Sequence, residues 1–144
     1  MTGEIVSIWI KRAHRGVMDA VDEARAVAGR GLVGNADQGG RRQITIIDES
    51  AWNEAAAETG AVVDPARRRA NVMVRGIGLA DTRGKLLLLG NCAIRILGET
   101  RPCERMEEAQ PGLRQALRSG WRGGVFGEII ESGSFRVGER AELA

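Results

Sequence analysis

Short apolar runs punctuated by glycine recur along the whole chain. Glu4 to Ile10, rich in Ile and Val around Trp9, predicts a first strand, closed by the polar turn Lys11 to Gly16. The same pattern predicts strands at Gln43 to Ile47, Val72 to Val74, Lys85 to Leu89, Cys92 to Leu97, Val125 to Ile130, Ser134 to Val137 and Ala141 to Leu143. Gly90-Asn91 reads as a hairpin connection, and Gly76-Ile77-Gly78, Ser132-Gly133 and Val137-Gly138 as turns. Helical signals are fewer. Asp48 is a good N-cap for a helix over about Glu49 to Thr59, with Ala51, Trp52 and Ala55 as its apolar face and Gly60 as its stop. Asp64-Pro65 opens a turn or short helix, and Leu113 to Arg118 makes another after Pro111-Gly112. Asp19 to Ala28 fits either state, because its alanines favour helix while Val21 and Val27 do not decide. About eight short strands with a few small helices predict a mainly β domain, a closed or partly closed barrel decorated by helices.

Composition narrows this picture. A chain of 144 residues is one domain, large enough to bury a real core. Its 20 glycines are about twice the usual share and match the many turns. The net charge of +2 does not by itself imply a nucleic-acid partner. Of its 21 cations, 19 are arginine and two, Lys11 and Lys85, are lysine; that bias suits bidentate recognition of phosphate or carboxylate, although coding bias also produces it. No run approaches the ~20 apolar residues of a membrane span, and the N-terminus lacks a secretory pattern, so a cytoplasmic protein with reduced thiols is expected.

Cys92 and Cys103 are too few for a disulfide framework, and no paired C-x-x-C marks a zinc site. His14 is the one histidine and reads as a surface residue, so no Ser-His-Asp or Cys-His machinery is evident unless it reaches Cys103. Gly29-Arg30-Gly31-Leu32-Val33-Gly34 spells G-x-G-x-x-G, but no helix opens after it, so a dinucleotide site is rejected and a bend between strands expected. The informative stretch is Arg101-Pro102-Cys103-Glu104-Arg105-Met106. Pro102 suits the first position of a helix, which would put Cys103 in the first turn. There the backbone N–H groups, with Arg101 and Arg105, would favour an anionic, reactive sulfur. The alternative is a cysteine packed as a small hydrophobe, and Cys92, in an apolar strand, reads that way.

Five motifs occur in a fixed order. They are Gly29-Arg30-Gly31-Leu32-Val33-Gly34-Asn35, Arg42-Gln43-Ile44-Thr45, Arg69-Ala70-Asn71 to Gly76, Arg101-Pro102-Cys103-Glu104-Arg105-Met106, and Gly133 to Glu139. Together they resemble a MOSC domain, the module named after the C-terminal part of molybdenum-cofactor sulfurase, over about Glu4 to Leu143. The resemblance implies a PK-barrel-like fold with a pocket at its mouth. It also implies one of two chemistries. Cys103 would carry sulfur as a persulfide from a pyridoxal-phosphate-dependent cysteine desulfurase toward the molybdenum cofactor of a molybdoenzyme. Alternatively, it would ligate molybdenum in a reductase of N-hydroxylated compounds. A third reading, a non-catalytic module for an anionic ligand, keeps the pocket without the thiol chemistry. The resemblance places Arg69 and Asn71 in the cofactor pocket. Arg101 and Arg105 would tune the thiol, while Arg122, Gly123 and Gly124, like Arg67 and Arg68, could contact the cofactor phosphate. Pyridoxal phosphate is expected on the partner, because neither lysine has a promising Schiff-base context. The chain departs from the family where Asn35, Asp37 and Gln38 stand near the usual Gly-Asp and His, and where Gly78 replaces a common Asp.

Overall fold

The computed structural model describes residues 1–144. Eleven strands, three short α-helices and one 3-10 turn form a barrel with a helical layer outside it. The strands are β1 Thr2–Lys11, β2 Met18–Val21, β3 Glu23–Val27, β4 Gly31–Leu32, β5 Ile44–Asp48, β6 Val72–Arg75, β7 Leu86–Leu89, β8 Cys92–Glu99, β9 Val125–Glu131, β10 Gly133–Arg136 and β11 Arg140–Leu143. The sheet order β11-β7-β8-β9-β5-β6-β1 closes on itself because β11 also pairs with β1, giving a barrel of seven strands with β2 added outside β1. A small sheet, β10-β3-β4, lies beside it. The expected barrel is therefore present, and closed.

Three strands exceed the expectation. The ambiguous stretch 19–28 is extended and supplies β2 and β3, and the glycine-rich bend supplies the two-residue β4. β3 alternates exposed and buried positions, with Ala24 and Ala26 turned inward, so the alanines fill space in the core. Their pairing with β10 is a tertiary constraint that overrides local helix propensity.

The barrel interior is apolar, built from Ile5, Ile8, Leu87, Leu89, Ile94, Ile96 and Val125 among others, with Phe135 of β10 packed into the same core. Neighbouring barrel strands run antiparallel except β5 and β6. A parallel pair needs a crossover, and here it is α1 (Glu49–Glu58) followed by the 3-10 turn Pro65–Arg68. Asp48 caps α1, its carboxylate accepting from the Ser50 amide at 3.0 Å, and Gly60 leaves with φ +80°. Trp52, Ala55 and Ala56 then pack with Met106 of α2 (Glu104–Ala109) and with Leu113, Ala116 and Leu117 in and after α3 (Leu113–Ala116). This is a second core, separate from the barrel. No helix is long and apolar enough to cross a membrane.

Candidate functional site

The crossover ends in the feature that builds the site. Asp64 accepts from the Ala66 amide at 2.9 Å and starts the 3-10 turn, and Arg69 ends it in the left-handed region at φ 65°. That reversal sends two consecutive arginines in different directions. Arg68 runs inward and is only 7% exposed. Its Nε donates to the Gly123 carbonyl at 2.9 Å and its Nη2 to the Thr100 carbonyl at 3.0 Å. It has no carboxylate partner. Burial pulls its pKa down to about 10, with Cys103 opposing and Arg42 reinforcing the effect, so it stays charged at neutral pH. Nη1 has no partner in the chain and keeps contact with solvent.

Arg68 forms part of the wall of a cavity of about 160 Å³. Around it stand Thr45 to Ile47 of β5, Arg68 to Asn71, Thr100, Cys103, Arg105 and Gly123, with Lys11, Asp37 and Arg42 at its edge. Five cations face one carboxylate, Asp37, which Lys11 already holds at 2.7 Å. Arg69 and Arg105 have no ion-pair partner. Burial, then Arg105, lower the pKa of Arg69, and Asp37 opposes this. Arg42 lies 5.0 Å over the Phe126 ring, which anchors it. The Thr100 hydroxyl is buried with no hydrogen-bond partner. An outer groove lined by Val17, Met18, Arg67, Arg69, Arg105 and Glu108 continues outward from the cavity.

Cys103 is exposed and belongs to the cavity wall. Its position differs from the expected first turn. The helix starts two residues later than expected, at Glu104 rather than Pro102, and Cys103 is its N-cap with extended dihedrals (φ −122°, ψ −175°) and no side-chain cap bond. Pro102 falls outside the helix, two residues after the Thr100 carbonyl that Arg68 holds. Cys92 faces the barrel core, where burial pushes its thiol up to about 12.

The fold brings Cys103, Arg69, Asn71, Arg105 and Gly123 to one cavity and leaves three of the sequence candidates outside it. Arg122 is turned away: it donates to the Ala116 carbonyl at 2.9 Å and pairs with Glu58 at 2.6 Å, clamping α1 to α3. Arg101 projects into solvent, 86% exposed, 3.8 Å from Glu99. Gly124, at φ +95°, is packed so closely on β5 that a Cβ would lie 2.3 Å from the Ile46 carbonyl oxygen. Asn71 borders the cavity but spends its amide on the frame. Its Oδ1 accepts from the Thr45 amide at 3.1 Å and hydroxyl at 3.3 Å, and its Nδ2 donates to the Trp9 carbonyl and to Asn35 Oδ1, both at 3.2 Å. Asn35 also accepts from the Lys11 amide at 2.9 Å, and Gln38 donates to the Leu32 carbonyl at 2.7 Å. These two residues, at the family's variable glycine loop, are braces. His14 is exposed, 3.8 Å from Asp37, and is not part of the cavity wall. Arg68 and Thr100 are the site residues that sequence reasoning ranked too low or missed.

A closed barrel bearing a thiol beside a cation-rich cavity is thus the class of structure that the chain adopts. The chain belongs to the MOSC domain family, whose model matches residues 21–142. Among solved structures it is similar to the YuaD protein from Bacillus subtilis, at 23% identity and TM-score 0.84, over 99% of this chain and 96% of that one. It is also similar to YiiM from Escherichia coli, at 18% identity and TM-score 0.76, over 100% and 70% of the two chains. YiiM from Geobacillus stearothermophilus aligns at 17% identity and TM-score 0.71, over 99% and 74%. At such identities these structures establish the fold alone. No curated protein matches the chain.

Proposed function

We propose that this MOSC domain is a sulfur carrier associated with the molybdenum cofactor, holding a persulfide on Cys103 beside an arginine-lined anion cavity. The observation that carries the reading is the pairing of an exposed thiol with a buried arginine that lacks a counter-charge, in one cavity. In the loading step the Cys103 thiolate attacks the outer sulfur of a donor persulfide, forms a new S–S bond, and releases the donor's thiolate. Delivery is the same exchange with an acceptor nucleophile attacking the outer sulfur and Cys103 leaving as thiolate. The neighbouring guanidinium groups are placed to pair with the anionic groups exchanged in both steps.

The residues fit an anionic cofactor end. Arg42, Arg68, Arg69 and Arg105 would hold a pterin phosphate. When bound, the cofactor would supply a molybdenum centre able to accept sulfur. The chain has no cluster of three or more His, Cys, Asp or Glu residues, so a metal held at Cys103 would draw its remaining ligands from the cofactor. The one lysine at the cavity, Lys11, is engaged with Asp37, which favours placing pyridoxal phosphate on a partner desulfurase. Alkylation near neutral pH followed by peptide mass spectrometry tests the proposal. Cys103 should label and Cys92 should not. A Cys103 that neither alkylates selectively nor takes up one sulfur atom from a cysteine desulfurase defeats the proposal.

A further inference from the structure

We propose that the donor or acceptor of sulfur at this site is a small sulfur oxyanion, and that the domain exchanges sulfane sulfur between Cys103 and thiosulfate or sulfite. The inference rests on the sulfur-carrier reading and specifies its substrate. Three observations carry it. First, the inner cavity beside Cys103, about 160 Å³ before it opens into the outer groove, is the size of a compact group rather than of the ligands that fill pockets of ~300–1,000 Å³. Second, its charge exceeds what a thiol or a protein persulfide requires. Arg42, Arg68, Arg69 and Arg105 have no carboxylate partner, and the one cavity carboxylate is held by Lys11. Third, the Nη1 of Arg68 makes no hydrogen bond within the chain, although its side chain is more than nine-tenths buried and lines the cavity. A tetrahedral oxyanion in the cavity offers this charged donor an acceptor.

The chemistry balances without a further reagent. The Cys103 thiolate attacks the outer, sulfane sulfur of thiosulfate. A bond forms between Sγ and that sulfur, and the bond to the sulfonate sulfur breaks with its electron pair, releasing sulfite. Thiosulfate and thiolate become sulfite and perthiolate, with three negative charges on each side. Sulfite attacking the outer sulfur of the persulfide is the reverse. A thiolate and a dianion repel each other, and so do the products, which is the reason such a step needs several guanidinium groups within one small cavity.

The experiment uses the intact reduced chain and sodium thiosulfate under anaerobic conditions, with sodium polysulfide as a second donor. Thiosulfate should add one sulfur atom at Cys103, located by peptide mass spectrometry, and release sulfite in equal amount. Arg69→Ala and Arg68→Gln should slow that loading about tenfold or more at limiting thiosulfate, the loss expected for a charge-assisted contact, and raise the thiosulfate concentration needed for half the maximal rate; an Arg69→Ala variant that loads from thiosulfate as fast as wild type overturns the oxyanion proposal. Because Arg68→Gln can unfold the chain, Arg69→Ala decides the matter if the other variant does not melt cooperatively. Loading by polysulfide with neither loading nor sulfite release from thiosulfate overturns the oxyanion proposal and leaves the sulfur carrier standing. Failure of Cys103 to load from either donor overturns both.

Discussion

Asn71→Ala separates a ligand contact from a structural brace. The side chain is 5% exposed and joins three elements: the start of β5 through Thr45, β1 through Trp9, and the glycine-rich loop through Asn35. Removing it leaves the Thr45 amide, the Thr45 hydroxyl and the Trp9 carbonyl without this partner. An unsatisfied buried group costs about 1–3 kcal/mol. Water from the adjoining cavity can reach some of these groups, so about 1 kcal/mol for each of three partners is the appropriate end of that range, or about 3 kcal/mol in all. For a chain of this size that corresponds to a fall in Tm of roughly 10 °C. Asn71→Asp keeps the acceptor for Thr45 but loses both donors and sets a carboxylate against Asn35 Oδ1, so it should destabilise as well. Thermal denaturation followed by circular dichroism measures both. If Asn71→Ala melts within about 2 °C of wild type while Cys103 loading collapses, the brace argument is refuted and the amide acts on the ligand.

Two more outcomes follow from other parts of the molecule. Arg122→Ala should lower Tm by unclamping α1 from α3, yet leave the rate of Cys103 loading in the folded protein unchanged; a loading defect without a stability loss would return Arg122 to the site. At the rim of β6, Arg75 donates to Glu49 at 2.7 and 3.0 Å and lowers the carboxyl's pKa below its usual 4.5. A lowered folded-state pKa contributes stability that is present above the unfolded value and is lost as pH falls through the folded one. Melts of Arg75→Gln should therefore lie slightly below wild type at neutral pH and converge with it on acidification below about pH 4.5. A gap that persists under strong acid would assign the effect to packing.

The strands with strong β-branched content, the Asp48 cap and the Gly60 stop could be read from residue order alone, because each depends on neighbours along the chain. The alanines of β3 could not, since only pairing with β10 makes them extended. The site was legible at its thiol and less so at its cations. Arg67, Arg68 and Arg69 are equivalent as a sequence run. What separates them is a positive φ at Arg69, which no glycine or asparagine announces. Arg122 and Gly124 looked like ligand contacts because glycine and arginine adjoin there. Glu58, which Arg122 pairs with, and the Ile46 carbonyl, against which Gly124 packs, are both distant in sequence. The helix beside Cys103 starts two residues later than proline's preference for the first helical position predicts, at Glu104 rather than Pro102.

The separation of the helical core from the barrel core has a mechanical consequence. Cys103 lies at the seam, at the entry to a six-residue helix that packs through Met106 on the helical layer. The carbonyls that Arg68 holds belong to segments joined to β8 and β9 of the barrel. Units with separate cores open separately, and the smaller one opens more readily. Cys103 and Arg105 therefore share the element that opens more readily, whereas the carbonyls that fix Arg68 belong to the barrel side. A local opening of α2 would move the thiol and Arg105 together and leave Arg68 in place.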